Sequence, residues 1–269
     1  MSLIACIQLR GTSDLDRNWT ITERLIREAA ASGAKLIATP EATDYLGPHD
    51  KKMQIAETIH GARSQRYGAL AAELGVDLLI GSIAESFNDS RCYNTSLYFN
   101  HLGQCIAQYR KMHLFDVDLR ETGGVCFSES ARTEAGKDIV CAEGRLGTVG
   151  MSICFDLRFP ELYQQLTRSG ATILAIPSAF TERTGRDHWH ALLRARAIEN
   201  QAYVIAPGQW GHHDDNGLRC SYGHSVIVDP WGTIIAECAD GEGFCIAPID
   251  MERLQAIRAQ IPMQSNRKL

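Results

Sequence analysis

Apolar positions along the chain fall into two alternating kinds. Short, nearly unbroken runs predict strands buried on both faces, and stretches with a 3.6-residue apolar period predict helices laid against them. A first strand is expected at Ile4–Leu9. A helix follows over Asn18–Ala31, where Trp19, Leu25, Ile26, Ala29 and Ala30 share a face and Ser32-Gly33 supplies the stop. Lys35–Thr39 is a second strand, halted by Pro40, and Arg63–Leu74 a second helix closed by Gly75. Leu78–Ile83, Tyr93–Phe99 and Cys105–Tyr109 continue as strands. Such a series fits a mixed sheet with helices packed outside, an α/β fold.

The second half repeats the plan. Ser32-Gly33-Ala34-Lys35-Leu36-Ile37-Ala38-Thr39-Pro40-Glu41-Ala42 recurs as Ser169-Gly170-Ala171-Thr172-Ile173-Leu174-Ala175-Ile176-Pro177-Ser178-Ala179, with Leu and Ile exchanged at two places. Duplication of a half-domain is the simplest account, and two related sheets would then pack face to face. A helix is expected over Asp187–Asn200 and a strand at Tyr203–Ala206. Gly223–Val228 and Thr233–Glu237 read as a hairpin around Asp229-Pro230-Trp231-Gly232. A last strand, Gly243–Ile249, precedes a helix over Asp250–Ile261. No linker or low-complexity stretch divides the chain, so residues 1–269 are expected to form one domain.

Thr148–Ile153 is another short apolar run, and Pro160 with Glu161 marks a helix start just beyond it. Cys154 therefore falls at the carboxyl end of a strand, on the turn into a helix, where open α/β sheets place reactive groups. The backbone N–H groups around Phe155 and Asp156 are expected to be free to face a substrate. A free cysteine is more often an inert core residue, and position alone does not separate the two readings.

Composition narrows the classes. The 269 residues carry a net charge of −5 with acids and bases interspersed, which leaves no nucleic-acid footprint. No apolar stretch approaches the ~20 residues of a membrane span, and the first ten residues read as a strand and not as a signal peptide. The nine cysteines contain no Cys-x-x-Cys pair, so a disulfide framework or structural zinc is not expected, and the cytoplasm is the natural compartment. His188 and His190 form a His-x-His pair, and His212-His213 another. No spaced acid or cysteine completes a tetrahedral set around either, so neither metal nor cofactor is expected.

Three further groups stand at strand ends or in a loop. Glu41, after Pro40, is either a cap for the next segment or a buried functional acid. Lys111 closes an apolar strand, and Glu129 lies in a loop. Glu41 and Lys111, together with Cys154, would suffice for acyl transfer from an amide, while Glu129 by itself reads as an ordinary loop acid. A carboxylate takes the thiol proton, an ammonium stabilises the oxyanion, and the acid then protonates the departing amine. A Cys–His thiol hydrolase using His113 or His188 as base, or a non-catalytic scaffold, are the rival classes.

The segments Pro40-Glu41-Ala42, Tyr109-Arg110-Lys111-Met112-His113-Leu114-Phe115-Asp116 and Cys154 through Leu162 resemble, in order and spacing, the nitrilase superfamily of carbon–nitrogen hydrolases. The resemblance implies a four-layer α-β-β-α sandwich of two mixed sheets with an internal pseudo-two-fold repeat. It implies Glu41 as base, Lys111 as oxyanion-stabilising cation, Cys154 as nucleophile and Glu129 as the acid that orients Lys111. The stretch from Pro177 to Asn200, with Gln209–His213 and Ser221–Ser225, is similar to the branch that includes deaminated-glutathione amidase and omega-amidase, closer to the former. That implies a small carboxylate-bearing amide as substrate, with Arg158 clamping the carboxylate, Tyr45 and Thr184 completing the pocket and Phe155 beside the nucleophile. Arg158 could instead pair with Glu161, and Thr184 could cap the helix that follows it. The loop Arg120–Val125 departs from the branch, being slightly long and glycine-rich. The resemblance also implies a homodimer, formed through Leu162–Leu166 and the Leu192–Ile198 face.

Overall fold

A computed structural model describes residues 2–118, 120, 126–214 and 219–268; residues 121–125 of the glycine-rich loop lie outside the described residues. The first half runs β1 (Ser2–Gln8), α1 (Leu15–Ala31), β2 (Ala34–Ala38), α2 (His49–Ile55), α3 (Ala62–Leu74), β3 (Asp77–Ser86), β4 (Cys92–Phe99) and β5 (Cys105–Arg110). Three short strands, β6 (Asp116–Asp118), β7 (Cys126–Ser128) and β8 (Thr133–Glu134), lead to the second half. There β9 (Cys141–Gly144), β10 (Gly147–Met151), α4 (Pro160–Arg168), β11 (Ile173–Ala175), α5 (Glu182–Asn200) and β12 (Tyr203–Ala206) come first. The chain closes with β13 (Trp210–His212), β14 (Cys220–Tyr222), β15 (Val226–Val228), β16 (Ile234–Glu237), β17 (Gly243–Ile249), α6 (Met251–Gln260) and α7 (Met263–Asn266).

One sheet has the order β17-β1-β2-β3-β4-β5 and the other β16-β15-β12-β11-β10-β9. In the first, β1, β2 and β3 are parallel and β4 and β5 follow antiparallel. In the second, β10, β11 and β12 are parallel and β15 and β16 follow antiparallel. The two halves thus share one topology, as the repeated segment implies. Even the turns into the repeated strands agree, with Gly33 at φ +95° and Gly170 at φ +96°, a left-handed conformation that costs glycine little.

The continuous apolar runs are explained by burial on both faces. Along β1, Ala5 and Ile7 pack with Leu25, Ile26 and Ala29 of α1 and with Tyr67 and Leu70 of α3. Their neighbours Ile4 and Cys6 point the other way, into a layer shared with Val149, Ile173, Ile205 and Ile227 of the second sheet. On the far side of that sheet, Leu162 and Leu166 of α4 and Trp189, Leu193 and Ala197 of α5 complete the stack. The layers are therefore helix, sheet, sheet, helix.

Several elements differ from the sequence reading. Helix α5 starts at Glu182 and not at Asp187, because its first turns are polar and show no apolar period. A Cβ on Gly185 there would sit 2.3 Å from Cβ of Tyr222, so the missing side chain lets α5 pack on β14. The expected strand Thr148–Ile153 ends at Met151, and Gly223–Val228 shortens to β15. Helix α2 and the hairpin β13–β14 are short, partly polar elements that periodicity does not single out. The leucines offered as a dimer surface are also reassigned: Leu162 and Leu166 are buried in the chain's own core. Among the described residues no helix is long and apolar enough to cross a membrane.

Candidate active site

Strand β10 delivers the chain to Cys154, which opens a single tight helical turn before Pro160 begins α4. Cys154 sits at φ +50°, a left-handed conformation that a residue with a Cβ adopts only under local constraint. The constraints are visible. Its N–H donates to the Pro177 carbonyl at 2.9 Å. Asp156, fully buried, accepts through Oδ2 from the Ile153 N–H (2.8 Å) and the Tyr109 hydroxyl (2.7 Å). Its Oδ1 accepts from the His113 N–H (3.0 Å) and meets His113 Nδ1 at 2.7 Å. Asp156 thereby ties the cysteine turn to the segment that carries Lys111. One expectation is corrected here: the Asp156 N–H is taken by the Ile153 carbonyl at 3.1 Å, closing the turn. The Phe155 N–H makes no hydrogen bond among the described residues and remains available.

Glu41, Lys111, Glu129 and Cys154 line one cavity. Lys111 is buried, and its Nζ donates to Glu41 Oε1 at 2.9 Å and Glu129 Oε2 at 2.8 Å. Burial works against its charge, but the carboxylates of Glu129 and Glu41 outweigh that and hold the ammonium well above its ordinary pKa. Burial likewise favours the neutral form of Glu129. The Lys111 charge prevails, aided by Lys52 and the Phe115 N–H, and Glu129 is pushed down to about 2. Cys154 is hydrogen-bonded to Glu41, and burial, then the Glu41 charge, push its thiol well up. The nucleophile candidate is thus a neutral thiol resting on a carboxylate. Glu41 is itself held by the Ala179 N–H, which reaches Oε2 at 2.9 Å from the strand end equivalent to its own in the other sheet.

Sequence reasoning missed Asn94. Its amide donates to Glu41 Oε1 at 2.9 Å and Glu129 Oε1 at 3.2 Å, bridging the two carboxylates that clasp Lys111. A lone asparagine within a strand pattern gives little signal of this kind.

The pocket residues divide. Arg158, Phe155, Tyr45 and Thr184 all line the cavity. Arg158 does not pair with Glu161. Its Nη2 lies 3.3 Å from His188 Nδ1, its guanidinium stands 5.3 Å from the Phe180 ring, and it has no ion pair among the described residues. Burial lowers its pKa, as befits a cation held without a carboxylate. Thr184 is not a helix cap; it lies in the first turn of α5, its hydroxyl 2.7 Å from that of Thr181. Tyr45 spends its hydroxyl proton on the Pro48 carbonyl at 2.8 Å and offers the cavity ring surface. Phe155 packs edge-to-face on Phe115 at 5.1 Å.

A second cationic corner was not anticipated. Lys52, on α2, lines the same cavity and forms no ion pair among the described residues, and Arg219 joins it. Their charges add to burial in pushing the His49 ring below its ordinary pKa. The rival bases are placed elsewhere. His113 holds Asp156 and stacks on Phe159 at 3.7 Å, while His188 faces Arg158.

Residues 3–259 match the model of the carbon-nitrogen hydrolase family. The chain is 40% identical to the deaminated glutathione amidase of Bos taurus, covering 100% of this chain and 82% of that protein. It is 39% identical to the deaminated glutathione amidase of Synechocystis, covering 98% and 97%. Among solved structures, the C. elegans NitFhit protein superposes with a TM-score of 0.93 at 35% identity; the match covers 99% of this chain and 65% of that one. The cavity therefore belongs to an amidase, and the chain is a member of the carbon–nitrogen hydrolase family, the nitrilase superfamily, which cleaves non-peptide carbon–nitrogen bonds in amides.

Proposed function

We propose that the protein hydrolyses deaminated glutathione, the tripeptide whose α-amino group has become a ketone, to 2-oxoglutarate and cysteinylglycine. The observation that carries this reading is the pair of cations, Arg158 and Lys52, that face one cavity with no ion pair among the described residues. The field of Arg158 is coupled to Cys154, and that of Lys52 to Glu129. A substrate with a carboxylate on each side of its scissile amide would satisfy both. Deaminated glutathione carries two; 2-oxoglutaramate, the omega-amidase substrate, carries one. The curated relatives bearing that activity in their names support the same choice.

In the proposed reaction Glu41 takes the thiol proton as Cys154 Sγ attacks the amide carbonyl carbon. A raised thiol pKa makes this base necessary, since little thiolate exists at neutral pH. The oxyanion is met by Lys111 Nζ and the Phe155 N–H. Glu41 then returns its proton to the departing amine, leaving a thioester on Cys154. Water, deprotonated by Glu41, attacks that thioester, and the acyl group leaves as the acid. Glu129 positions Lys111, and Arg158 clamps the keto-acid carboxylate with a planar fork.

The test is a comparison of kcat/KM for the two amides. Losing a hydrogen-bonded charge contact costs about 1.5–3 kcal/mol, roughly ten- to a hundredfold. Arg158→Ala is expected to lower both substrates by that factor, and Lys52→Ala to lower deaminated glutathione alone. If Arg158→Ala treats both as the wild type does, the clamp fails; if Lys52→Ala affects both equally, the two-carboxylate reading fails.

We also infer a cytoplasmic homodimer. Nine free cysteines, five of them buried, suit a reducing compartment. With Leu162 and Leu166 internal, the second copy is placed against the exposed Ile198 of α5 and the exposed Trp231, whose neighbour Gly232 packs on Ile198. Sedimentation of Ile198→Glu is expected to give monomer where the wild type gives dimer.

A further inference from the structure

We propose that His190, His224 and Glu237 form a binding site for a divalent transition-metal ion, separate from the catalytic cavity. The sequence offers His188 and His190 as neighbours, but on α5 they part company, His188 turning to Arg158 and His190 to β16. The acid that the sequence pattern lacks arrives from 47 residues away. Glu237 Oε1 lies 2.8 Å from His190 Nε2 and 2.8 Å from His224 Nδ1. One nitrogen from each ring and one carboxylate oxygen all fall within 4.8 Å of one another. Ligands at about 2.0–2.2 Å around a tetrahedral zinc stand roughly 3.3 Å apart, so each carboxylate-to-imidazole distance of 2.8 Å has to open by only about 0.5 Å, with the two ring nitrogens already within 4.8 Å of each other. Two imidazoles and a carboxylate are a donor set suited to zinc and its neighbours, with a fourth position for water.

The set is built on three different elements. His190 projects from α5, His224 from the loop between β14 and β15, and Glu237 ends β16, paired in register with Val226. His224 is held in an unusual left-handed backbone conformation, φ +52°, with its carbonyl taken by Trp189 Nε1 at 2.9 Å. The Tyr222 ring stacks on it at 4.4 Å. Asp240 Oδ1 stands 3.8 Å from His224 Nε2, the nitrogen left over, where a small side-chain rotation makes the carboxylate–histidine–metal arrangement. All three ligands keep about a third of their surface in solvent, so the ion has an entry path. A metal there would clip α5, which lends Thr184 to the catalytic cavity, to the sheet edge.

The test uses the full chain, as wild type and with Cys154→Ala to remove the catalytic thiol. Cobalt(II) and zinc(II) are titrated by calorimetry and, for cobalt, by visible absorption. Expected are one ion per chain, d–d bands without a thiolate charge-transfer band, and a rise in Tm with metal. Glu237→Gln and His190→Ala, each checked for an unchanged metal-free Tm and circular dichroism, are expected to weaken binding at least tenfold while leaving amidase activity intact. Absence of binding overturns the proposal. So does a thiolate band, or affinity equal to wild type in both variants.

Discussion

Replacing Asp156 by asparagine isolates what holds the Cys154 turn in place. The carboxylate accepts from four donors with both oxygens, in a site sealed from water. The isosteric amide keeps one oxygen and turns an NH2 toward two donors. Two hydrogen bonds to a charged acceptor are lost, each worth about 1.5–3 kcal/mol, so destabilisation of about 3 kcal/mol or more is expected. In a chain of this size that lowers Tm by roughly 6–12 °C. The donors left facing the amide would be the Ile153 N–H with the Tyr109 hydroxyl, or the two His113 groups. Either way the link between the Cys154 turn and the Lys111 segment is cut. The left-handed backbone at Cys154 then loses a constraint against relaxing, and kcat is expected to fall at least tenfold, with KM less affected. Differential scanning calorimetry and steady-state kinetics on the purified variant provide the assay. A variant with the wild-type Tm and kcat would refute the assignment of Asp156 as the tie between the two segments.

The other expectations concern the catalytic cavity and one packing contact. Glu41→Gln removes the proposed general base and is expected to lower kcat/KM by about 10²–10⁴, whereas a Cys–His hydrolase would leave acylation largely intact; burst kinetics distinguishes them. Because Glu129 titrates at about 2 in the folded chain, below its ordinary carboxylate value, its stabilisation is complete above that ordinary value and is lost as pH falls toward 2. Glu129→Gln is therefore expected to lower Tm at pH 7 and to narrow its gap to wild type as the pH is taken below 4, which parallel melts would show. Gly185→Ala puts a methyl against Tyr222 and is expected to destabilise by about 1–3 kcal/mol in urea titrations.

The sheets were legible because strands buried on both faces leave unbroken apolar runs, and because the repeated Ser-Gly-Ala segment marks the same position in each half. Glu41, Lys111, Glu129 and Cys154, named from their motifs, do converge on one cavity. What escaped the sequence depends on long-range placement. Asn94 is one polar residue among many in strands, and only the sheet's assembly sets it between two carboxylates. Lys52 rides on a short polar helix with no apolar face to announce it. The left-handed turn at Cys154 could not be foreseen, since no glycine stands there and the constraint is imposed by Asp156 and Pro177.

The hydrogen bond from the Ala179 backbone to Glu41 gives the sandwich a role beyond rigidity. Glu41 is fastened at once to its own strand end and to a strand end of the opposing layer, so the gap between the layers measures out the distance from its carboxylate to the Cys154 sulfur. A void opened deep in that seam, far from any substrate atom, would let the layers settle and be felt first as slower turnover. Core packing in this enzyme is in that sense part of its catalytic gauge.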